Sequence, residues 1–579
     1  MATEAERGLK AIWPMLVLPV LALLLVLPLL LHGPSCGHDF GFHMQSWMDA
    51  GAQMRRGDLL PRWAYSPAFN AGEPRFMFYP PLSWVLGSVL LLALPSEVVP
   101  AVFTFLALTL AGWGMWALAR RFAHAAGALL AAAVYLANPY MLFTAFERTA
   151  YAELLAAAWM PWLLRAALAE RVQVLPVAVP LALLWLTNAP AAVMGTYALG
   201  LVVCLRAWLR WWRGRQSGTG LRGVGSLVGP AVGGLVLGLA LAGFYLLPAA
   251  LERRYVQIAM AIIPNMRVED NFLFGHTGYG PHDVVLHTAS VVALLVMGLT
   301  ACALILAWWG GRTQAVREHG RDVLTVLALL AAVIALLFIK VSLPAWHVLP
   351  ELAFLQFPWR WLAVLGCVLG VGVALLIGRL RVPAAIWVGT ALGIAALAGP
   401  VEIRPFREGC EAHELPAERV ALFAAQHGVG PTDEYTPSNA DNDQLRWDDP
   451  AWWLTTDANA PGPGTVPNPA ATIENYDEPP PLDQTVSGRA PMHLQVAVPR
   501  AEDLVLNLRD YPAWAVTVNG ARLPHLQRDD GLIAVALTPG LDTVDVRWRR
   551  LPDVWAGDAM SLCALGMAGW WWVRSRRIA

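Results

Sequence analysis

Long apolar runs recur along this 579-residue chain. Residues 11–31 and 98–119 carry no charge, and about 20 apolar residues in a helix suffice to cross the hydrocarbon core of a membrane. Only 14% of the residues are charged, against about 25% in soluble proteins, and the mean hydropathy is +0.49. These values exclude a soluble globular enzyme and predict an α-helical polytopic membrane protein. The net charge of −1 argues against a nucleic-acid partner.

The arginines predict how the helices cross, because cytoplasmic loops of membrane proteins are enriched in Lys and Arg. Residues 80–94 are apolar but short for a crossing. If this segment stays on the outer face, the arginine-bearing connections near residues 120, 210 and 379 all lie inside. The sequence therefore predicts about twelve spans with both termini in the cytoplasm. The predicted spans are residues 12–31, 98–119, 125–145, 152–169, 173–189, 190–208, 226–247, 287–309, 323–340, 360–378, 383–400 and 557–573.

Polar and charged residues return after residue 400. We predict a transmembrane domain at 1–400 with a long first outer loop at 32–97, an extracytoplasmic β-rich domain at 401–556, and a final anchor with a cytoplasmic tail at 557–579. Asn519-Gly520 is a hairpin signal, so the β-rich part is expected to be a small sandwich. The expected strands are residues 492–498, 504–508, 514–518, 532–537 and 543–548.

An aspartate follows the first predicted span, between two histidines. Asp39 lies at the expected membrane surface beside His38, His43 and aromatic residues. Partial burial would raise its pKa and make it a better general base toward an acceptor hydroxyl. Two alternatives remain open: the carboxylate only hydrogen-bonds the end of a helix, or it joins the two imidazoles around a metal ion.

A second group of polar residues enters the fourth predicted span. Glu147, Arg148 and Tyr151 precede it, and Glu153 falls in its first turn. An acid inside a span is costly and is by default a candidate functional residue. The alternative is a structural pair between one of these acids and Arg148.

Further candidates stand beside aromatic residues at the outer ends of spans. Arg360, next to Trp359, has the side chain that forks around a phosphate, although a lone arginine in an interfacial aromatic belt is an equal alternative. The predicted catalytic acids are Asp39, Glu147 and Glu153, and no metal-binding residue is assigned. The predicted substrate-binding residues are His38, His43, Arg62, Trp63, Arg148, Tyr151, Arg253, Arg254, Trp359 and Arg360.

Two cysteines, Cys36 and Cys410, fall on the predicted outer face. Both would meet an oxidising compartment there and could form a disulfide, or they are two unrelated thiols. The sequence contains no phosphate-binding loop of the Gly-x-x-x-x-Gly-Lys-Ser/Thr type, which leaves an ATP-driven pump without support. Few charges fall in mid-span, which argues against an ion-coupled transporter.

Taken together, these segments resemble the GT-C superfamily of membrane glycosyltransferases. In that superfamily the first outer loop carries the catalytic acid, and a helix of that loop lies along the membrane. The chain is most similar to the bacterial family labelled "6-pyruvoyl-tetrahydropterin synthase-related", a relative of YfhO-like proteins, although no pterin chemistry is implied. The similar segments are residues 38–43, 61–63, 78–82, 148–153, 357–360, 511–514, 518–520 and 530–535.

The resemblance implies transfer of a sugar from a polyprenyl-phosphate donor to a glycan, lipid or protein acceptor, outside the bacterial inner membrane. Asp39 would be the general base, Glu147 or Glu153 a second acid, and Arg360 with Arg148 the phosphate ligands. Some superfamily members use a divalent metal, and this point stays open. Two other functions remain as alternatives: a non-catalytic lipid or polysaccharide transporter, and a membrane-anchored glycan-binding protein. The membrane lipids are partners in every case.

Overall fold

The computed structural model describes residues 4–214, 220–310, 318–465 and 487–578. Its described part contains twenty α-helices and seven strands, with short 3-10 turns between them. The helices are α1 Glu4–His32, α2 Phe40–Met54, α3 Arg75–Phe78, α4 Pro81–Ala93, α5 Val99–Ala119, α6 Ala125–Leu136, α7 Pro139–Phe146, α8 Tyr151–Ala156, α9 Met160–Ala167, α10 Val174–Thr187, α11 Ala189–Gly214, α12 Gly220–Leu241, α13 Gly243–Glu252, α14 Gly280–Gly310, α15 Glu318–Leu337, α16 Leu343–Val348, α17 Leu362–Ile377, α18 Ala384–Phe406, α19 Pro416–Ala424 and α20 Pro552–Ile578.

The prediction of a polytopic helical membrane protein is confirmed, but the helices are less uniform than the twelve predicted spans. Within the described ranges, eight helices are long and apolar enough to cross a membrane: α1, α5, α11, α12, α14, α15, α17 and α18. The pair α6 and α7, bent by 49°, would make a ninth. The segment predicted as one span at 152–169 is broken into α8 and α9, with Pro161 near the start of the second piece. The segment at 173–189 forms only the 14-residue α10.

The short apolar segment after the first outer loop forms α4, as its length predicted. Its 13 residues extend about 20 Å, which is less than the roughly 30 Å hydrocarbon core. It packs against α2, where the Ser88 hydroxyl donates to the Trp47 carbonyl at 3.0 Å. A Cβ at Gly87 would lie 2.2 Å from the Trp47 indole, so this contact requires glycine. The first outer loop is thus a folded helical layer.

The C-terminal region contains a sandwich of two antiparallel sheets, as the strand pattern predicted. The strands are β1 Trp452–Thr455, β2 His493–Val498, β3 Glu502–Arg509, β4 Trp514–Val518, β5 Ala521–Arg522, β6 Leu532–Leu537 and β7 Gly540–Trp548. One sheet has the order β1-β3-β6 and the other β2-β7-β4-β5. Buried side chains of both sheets, such as Leu506 and Val544, share one hydrophobic core. Asn519 and Gly520 both have positive φ and form the β4–β5 hairpin, as expected for this dipeptide.

The first outer loop and the sandwich pack together. Trp63 of the loop lies 5.5 Å from Trp514 and 5.7 Å from Trp548, measured between ring centroids. The Asn70 side-chain amide donates to the Ser487 carbonyl at 2.7 Å. Aromatic burial of this kind contributes strongly to stability. The loop and the sandwich therefore stabilise each other, although they are far apart in sequence.

The last helix, α20, closes a break between α12 and α13. The Ser561 hydroxyl accepts a hydrogen bond from the Phe244 backbone N–H at 2.8 Å and lies 3.1 Å from the Leu241 carbonyl. A Cβ at Gly557 would lie 2.7 Å from the Gly243 carbonyl oxygen, so the helices touch backbone to backbone. Polar backbone groups freed by a helix break need such partners inside a membrane. The segment predicted as a simple anchor is thus part of the helical core.

The predicted pairing of Cys36 with Cys410 is confirmed as a disulfide. It joins the segment after α1 to the segment after α18, across 374 residues of sequence. The Ser35 hydroxyl accepts from the Glu408 backbone N–H at 2.9 Å beside it. The start of the first outer loop is therefore fixed to the start of the C-terminal region.

We expect removal of this disulfide to destabilise the protein by ~2–4 kcal/mol, because it closes a long loop of the unfolded chain. The test compares thermal unfolding of the Cys36→Ser, Cys410→Ser double variant with that of a Cys204→Ser control, whose thiol is free. Maleimide labelling of Cys36 and Cys410 in the non-reduced protein would contradict the pairing.

Candidate active site

Asp39 directly precedes α2, in the short segment that follows α1. Its backbone N–H donates to the Arg148 carbonyl at 3.0 Å, and the His38 N–H donates to the Glu147 carbonyl at 3.3 Å. A Cβ at Gly37 would lie 1.8 Å from the Glu147 carbonyl oxygen, so glycine is required for this close approach. The Asp39 carboxylate is half-buried and has no hydrogen-bond partner within the described residues. The alternative in which it only caps a helix is therefore not supported.

Beside Asp39 lies a buried cluster of charged side chains, some of which are more than 200 residues apart in the sequence. Arg148 and Glu153 form an ion pair at 2.7 Å, and both side chains are almost fully buried. The Glu153 carboxylate also accepts a hydrogen bond from the Tyr140 hydroxyl. Arg360 approaches the same carboxylate at 3.6 Å. Glu153 is thus the shared counter-ion of two arginines, and replacing it or Arg148 would leave a buried charge unpaired at a cost of about 3–5 kcal/mol.

Arg360 is held less tightly by Glu153 than Arg148 is, at 3.6 Å against 2.7 Å. Its Nη1 donates to the Leu355 carbonyl at 3.0 Å, while its Nε has no hydrogen-bond partner within the described ranges. The Asp39 carboxylate lies within electrostatic range of both Arg148 and Arg360. The two positive charges of Arg148 and Arg360 therefore face two carboxylates, those of Glu153 and Asp39. Arginine guanidiniums are the side chains that fork around a phosphate group, so a phosphate at this cluster would meet Arg360 and Arg148 close to Asp39.

A cavity of about 690 Å³ is lined by chain neighbours of Asp39 and Arg148, although the four charged side chains of the cluster do not line it themselves. Gly37, His38 and Gly41 line it from the Asp39 segment, and Glu147 lines it from the segment after α7. Burial raises the pKa of Glu147 to about 8, and the nearby Glu408 acts in the same direction. At neutral pH Glu147 is therefore protonated, and its carboxyl can donate a hydrogen bond into the cavity.

Replacing Glu147 with glutamine is expected to flatten the pH dependence of stability. Between about pH 5 and pH 8 the unfolded chain has released this proton while the folded protein retains it, so wild-type stability falls as the pH rises. The variant lacks this loss. Between pH 5.5 and pH 8.5, its free energy of unfolding relative to that of wild type should therefore rise by on the order of 1 kcal/mol or more. Thermal unfolding at the two pH values measures it, with the exposed Glu97→Gln as control. Equal pH slopes in wild type and Glu147→Gln would show that Glu147 is ionised.

The two predicted histidines differ in position. His38 is exposed at the cavity, whereas His43 is 1% exposed and both of its ring nitrogens lack hydrogen-bond partners among the described residues. Tyr79 and Tyr151 pack around the His43 ring at 6.0 and 5.3 Å. Burial lowers the pKa of His43 to about 4, so its imidazole is neutral. The metal-site alternative is not supported: the described chain contains no group of three His, Cys, Asp or Glu side chains placed to hold an ion.

Several predicted substrate-binding residues lie away from Asp39 or inside the core. Trp63 packs in the outer core, and Arg62 donates to the Phe244 carbonyl at 3.0 Å near the α12–α13 break. Arg253 faces Glu351 on the surface, and Arg254 donates to the Tyr255 hydroxyl. These contacts account for the four side chains structurally. Trp359 and Tyr151 are close to the cluster but fully buried, and they pack around it.

Sequence reasoning missed two contributors to the site. Tyr140 holds Glu153 in place, and Arg75 lines the cavity while it donates to Glu73, Ser46 and Thr432. The Asn-Pro-Tyr signal at 138–140 marks a helix start, since Asn138 caps α7, but nothing in the sequence points the tyrosine at an acid. Such contacts between distant segments follow from the fold alone.

Two solved structures similar to this chain are of arabinofuranosyltransferase AftD from mycobacteria. The first has a TM-score of 0.40 and 16% sequence identity. The match covers 67% of this chain and 27% of the AftD chain. The second, a mutant of the same enzyme, has a TM-score of 0.38 and 19% identity over 66% of this chain and 27% of that one. The chain thus spans about a quarter of the length of these structures. No protein-family model and no curated protein matches it, so the likeness to YfhO-like proteins stays a prediction.

Proposed function

We propose that this chain is a membrane glycosyltransferase of the GT-C type, which transfers a sugar from a polyprenyl-phosphate donor to a hydroxyl group of an extracytoplasmic acceptor. The observation that supports it best is the Asp39 carboxylate, which has no hydrogen-bond partner among the described residues, follows the cavity-lining His38 in the chain, and lies within electrostatic range of Arg148 and Arg360. A transferase needs this combination, because it must remove a proton from the acceptor and stabilise a leaving phosphate at the same place.

In the proposed reaction, Asp39 takes the proton of the acceptor hydroxyl while that oxygen bonds to the anomeric carbon of the donor sugar. The bond between this carbon and the phosphate oxygen breaks, and the polyprenyl phosphate leaves with the electron pair. Arg360 and Arg148 hold the charge that develops on this oxygen. Glu153 positions both guanidiniums, and protonated Glu147 donates a hydrogen bond to a hydroxyl of the sugar or acceptor in the cavity. No step requires a metal.

The decisive assay distinguishes transfer from transport and from binding. Protein in lipid nanodiscs receives a polyprenyl-phosphate sugar labelled in the sugar, together with candidate acceptors. We expect a labelled product in which the sugar is linked to the acceptor, together with free polyprenyl phosphate in equal amount. A transporter would move the donor across a vesicle membrane without breaking its glycosidic bond, and a binding protein would leave the donor intact in solution. The proposal would be contradicted if every sugar donor that fits the cavity were transported intact or bound without cleavage.

A further inference from the structure

A second recess lies at the C-terminal end of α1, which is predicted to face outward, where α18 packs against α1. It has a volume of about 420 Å³. Its floor is apolar and is formed by residues such as Leu27, Leu31 and Ile403. Leu31 is 67% exposed, so the recess is open toward the space that membrane lipids occupy around two candidate spans. An aliphatic chain is the ligand that such a floor accommodates.

The rim of this recess is basic. Arg404 and Arg407 stand on the last turn of α18 and just after it, and His32 stands at the end of α1. Arg407 donates to the His32 carbonyl, which leaves its other guanidinium N–H groups free of described hydrogen-bond partners. Arg404 forms no ion pair within the described part of the chain. The residues described as lining the recess include no carboxylate.

From these observations we propose that the recess binds one anionic membrane phospholipid. Its phosphate contacts Arg404 and Arg407, and an acyl chain lies along Leu27 and Leu31. Arginine snorkelling into bulk water would explain one of these guanidiniums, but not two that converge on the same apolar pocket. The proposal does not depend on the transferase activity, since neither arginine belongs to the Asp39 cluster.

The rim is also held in place. The chain segments that form it continue into Ser35 and Glu408, which are hydrogen-bonded, and into the disulfide between Cys36 and Cys410. A rim fixed in this way loses little conformational freedom when it binds an anion, which favours a stable complex over transient lipid contact. The bound lipid would support the same junction from the membrane side.

Native mass spectrometry of protein released from nanodiscs tests this. The nanodiscs contain equal amounts of phosphatidylglycerol and phosphatidylcholine. We expect wild type to retain phosphatidylglycerol, and the Arg404→Gln, Arg407→Gln variant to retain it roughly 25-fold less, since each of the two basic side chains contributes about fivefold. The charge-matched Arg500→Gln, Arg522→Gln variant, changed on the surface of the sandwich, should match wild type.

Equal retention by wild type and the Arg404, Arg407 variant would overturn the proposal. It would also be overturned if a polyprenyl phosphate, added in equal amount, replaced phosphatidylglycerol through the same two arginines, because the occupant would then be the donor. If the variant fails to fold, the melting temperature of wild type with added lipid still tests the proposal. Short-chain phosphatidylglycerol must raise the melting temperature of wild type more than short-chain phosphatidylcholine does, and an equal effect would count against the site.

Discussion

Replacing Asp39 with asparagine is expected to reduce sugar transfer by about 10²- to 10⁴-fold, which is the range that a general base contributes. The amide has nearly the same shape but cannot take the acceptor proton. Because the Asp39 side chain makes no hydrogen bond to the described residues, its replacement should leave folding unchanged. The loss should therefore appear in kcat at unchanged melting temperature and unchanged donor affinity.

The exposed acid Asp58, in the same outer loop, provides the matched control. Its carboxylate accepts only from the Leu60 backbone N–H, at 3.3 Å. Asp58→Asn should transfer sugar at the wild-type rate. If Asp39→Asn retained full activity while folding normally, Asp39 could not be the base, and the function would have to be assigned to another acid.

Replacing Arg360 with glutamine is expected to lower kcat by about 10²- to 10³-fold, the effect of removing one donor to a developing negative charge. Arg360 is a better target than Arg148, because its guanidinium is only loosely held by Glu153 at 3.6 Å. Arg148 is the direct partner of that buried acid, and its removal would damage folding. Donor binding should weaken together with the rate, since the phosphate is bound before it leaves.

Arg360→Lys separates charge from geometry. A lysine keeps the positive charge but lacks the planar fork, so we expect partial recovery of donor binding and little recovery of kcat. The exposed Arg267→Gln serves as the control for loss of an outer arginine. A folded Arg360→Gln protein with wild-type kinetics would remove the phosphate role from Arg360.

The helical layout followed from the sequence because membrane-spanning length and arginine placement leave few arrangements. Most residues of the twelve predicted spans are helical, but only eight helices of the described part, or nine with the bent pair, are long and apolar enough to cross a membrane, and α20, which holds the predicted final span, is not one of them. What the sequence did not reveal are the breaks: apolar character continues through residues 152–169, and only packing decides that α8 ends at Ala156. The strands of the sandwich were predicted from runs of β-type residues between turn signals, except for β1 and β5, which are short and were not predicted.

The candidate site was predictable in its members but not in their roles. Charge is so scarce near the spans that Asp39, Glu153 and Arg360 stood out, and the structure brings all three to one place. It also shows that Glu153 is fully engaged by arginines, while Asp39 is free. Arg253 and Arg254 were selected by the same criterion, a charge near the end of a predicted span, but they lie elsewhere, on the surface. Composition identifies candidates, whereas contacts between segments 200 residues apart show which of them lie together.

The central claim is that a lipid phosphate binds between Asp39 and Arg360. The most direct test is an experimental structure of the protein in nanodiscs with a non-hydrolysable polyprenyl-phosphate sugar. The account predicts density for the phosphate at the Arg360 and Arg148 guanidiniums, with the anomeric carbon facing the cavity and the Asp39 carboxylate. Density for the phosphate at another location, with the Asp39 cluster unchanged, would contradict it.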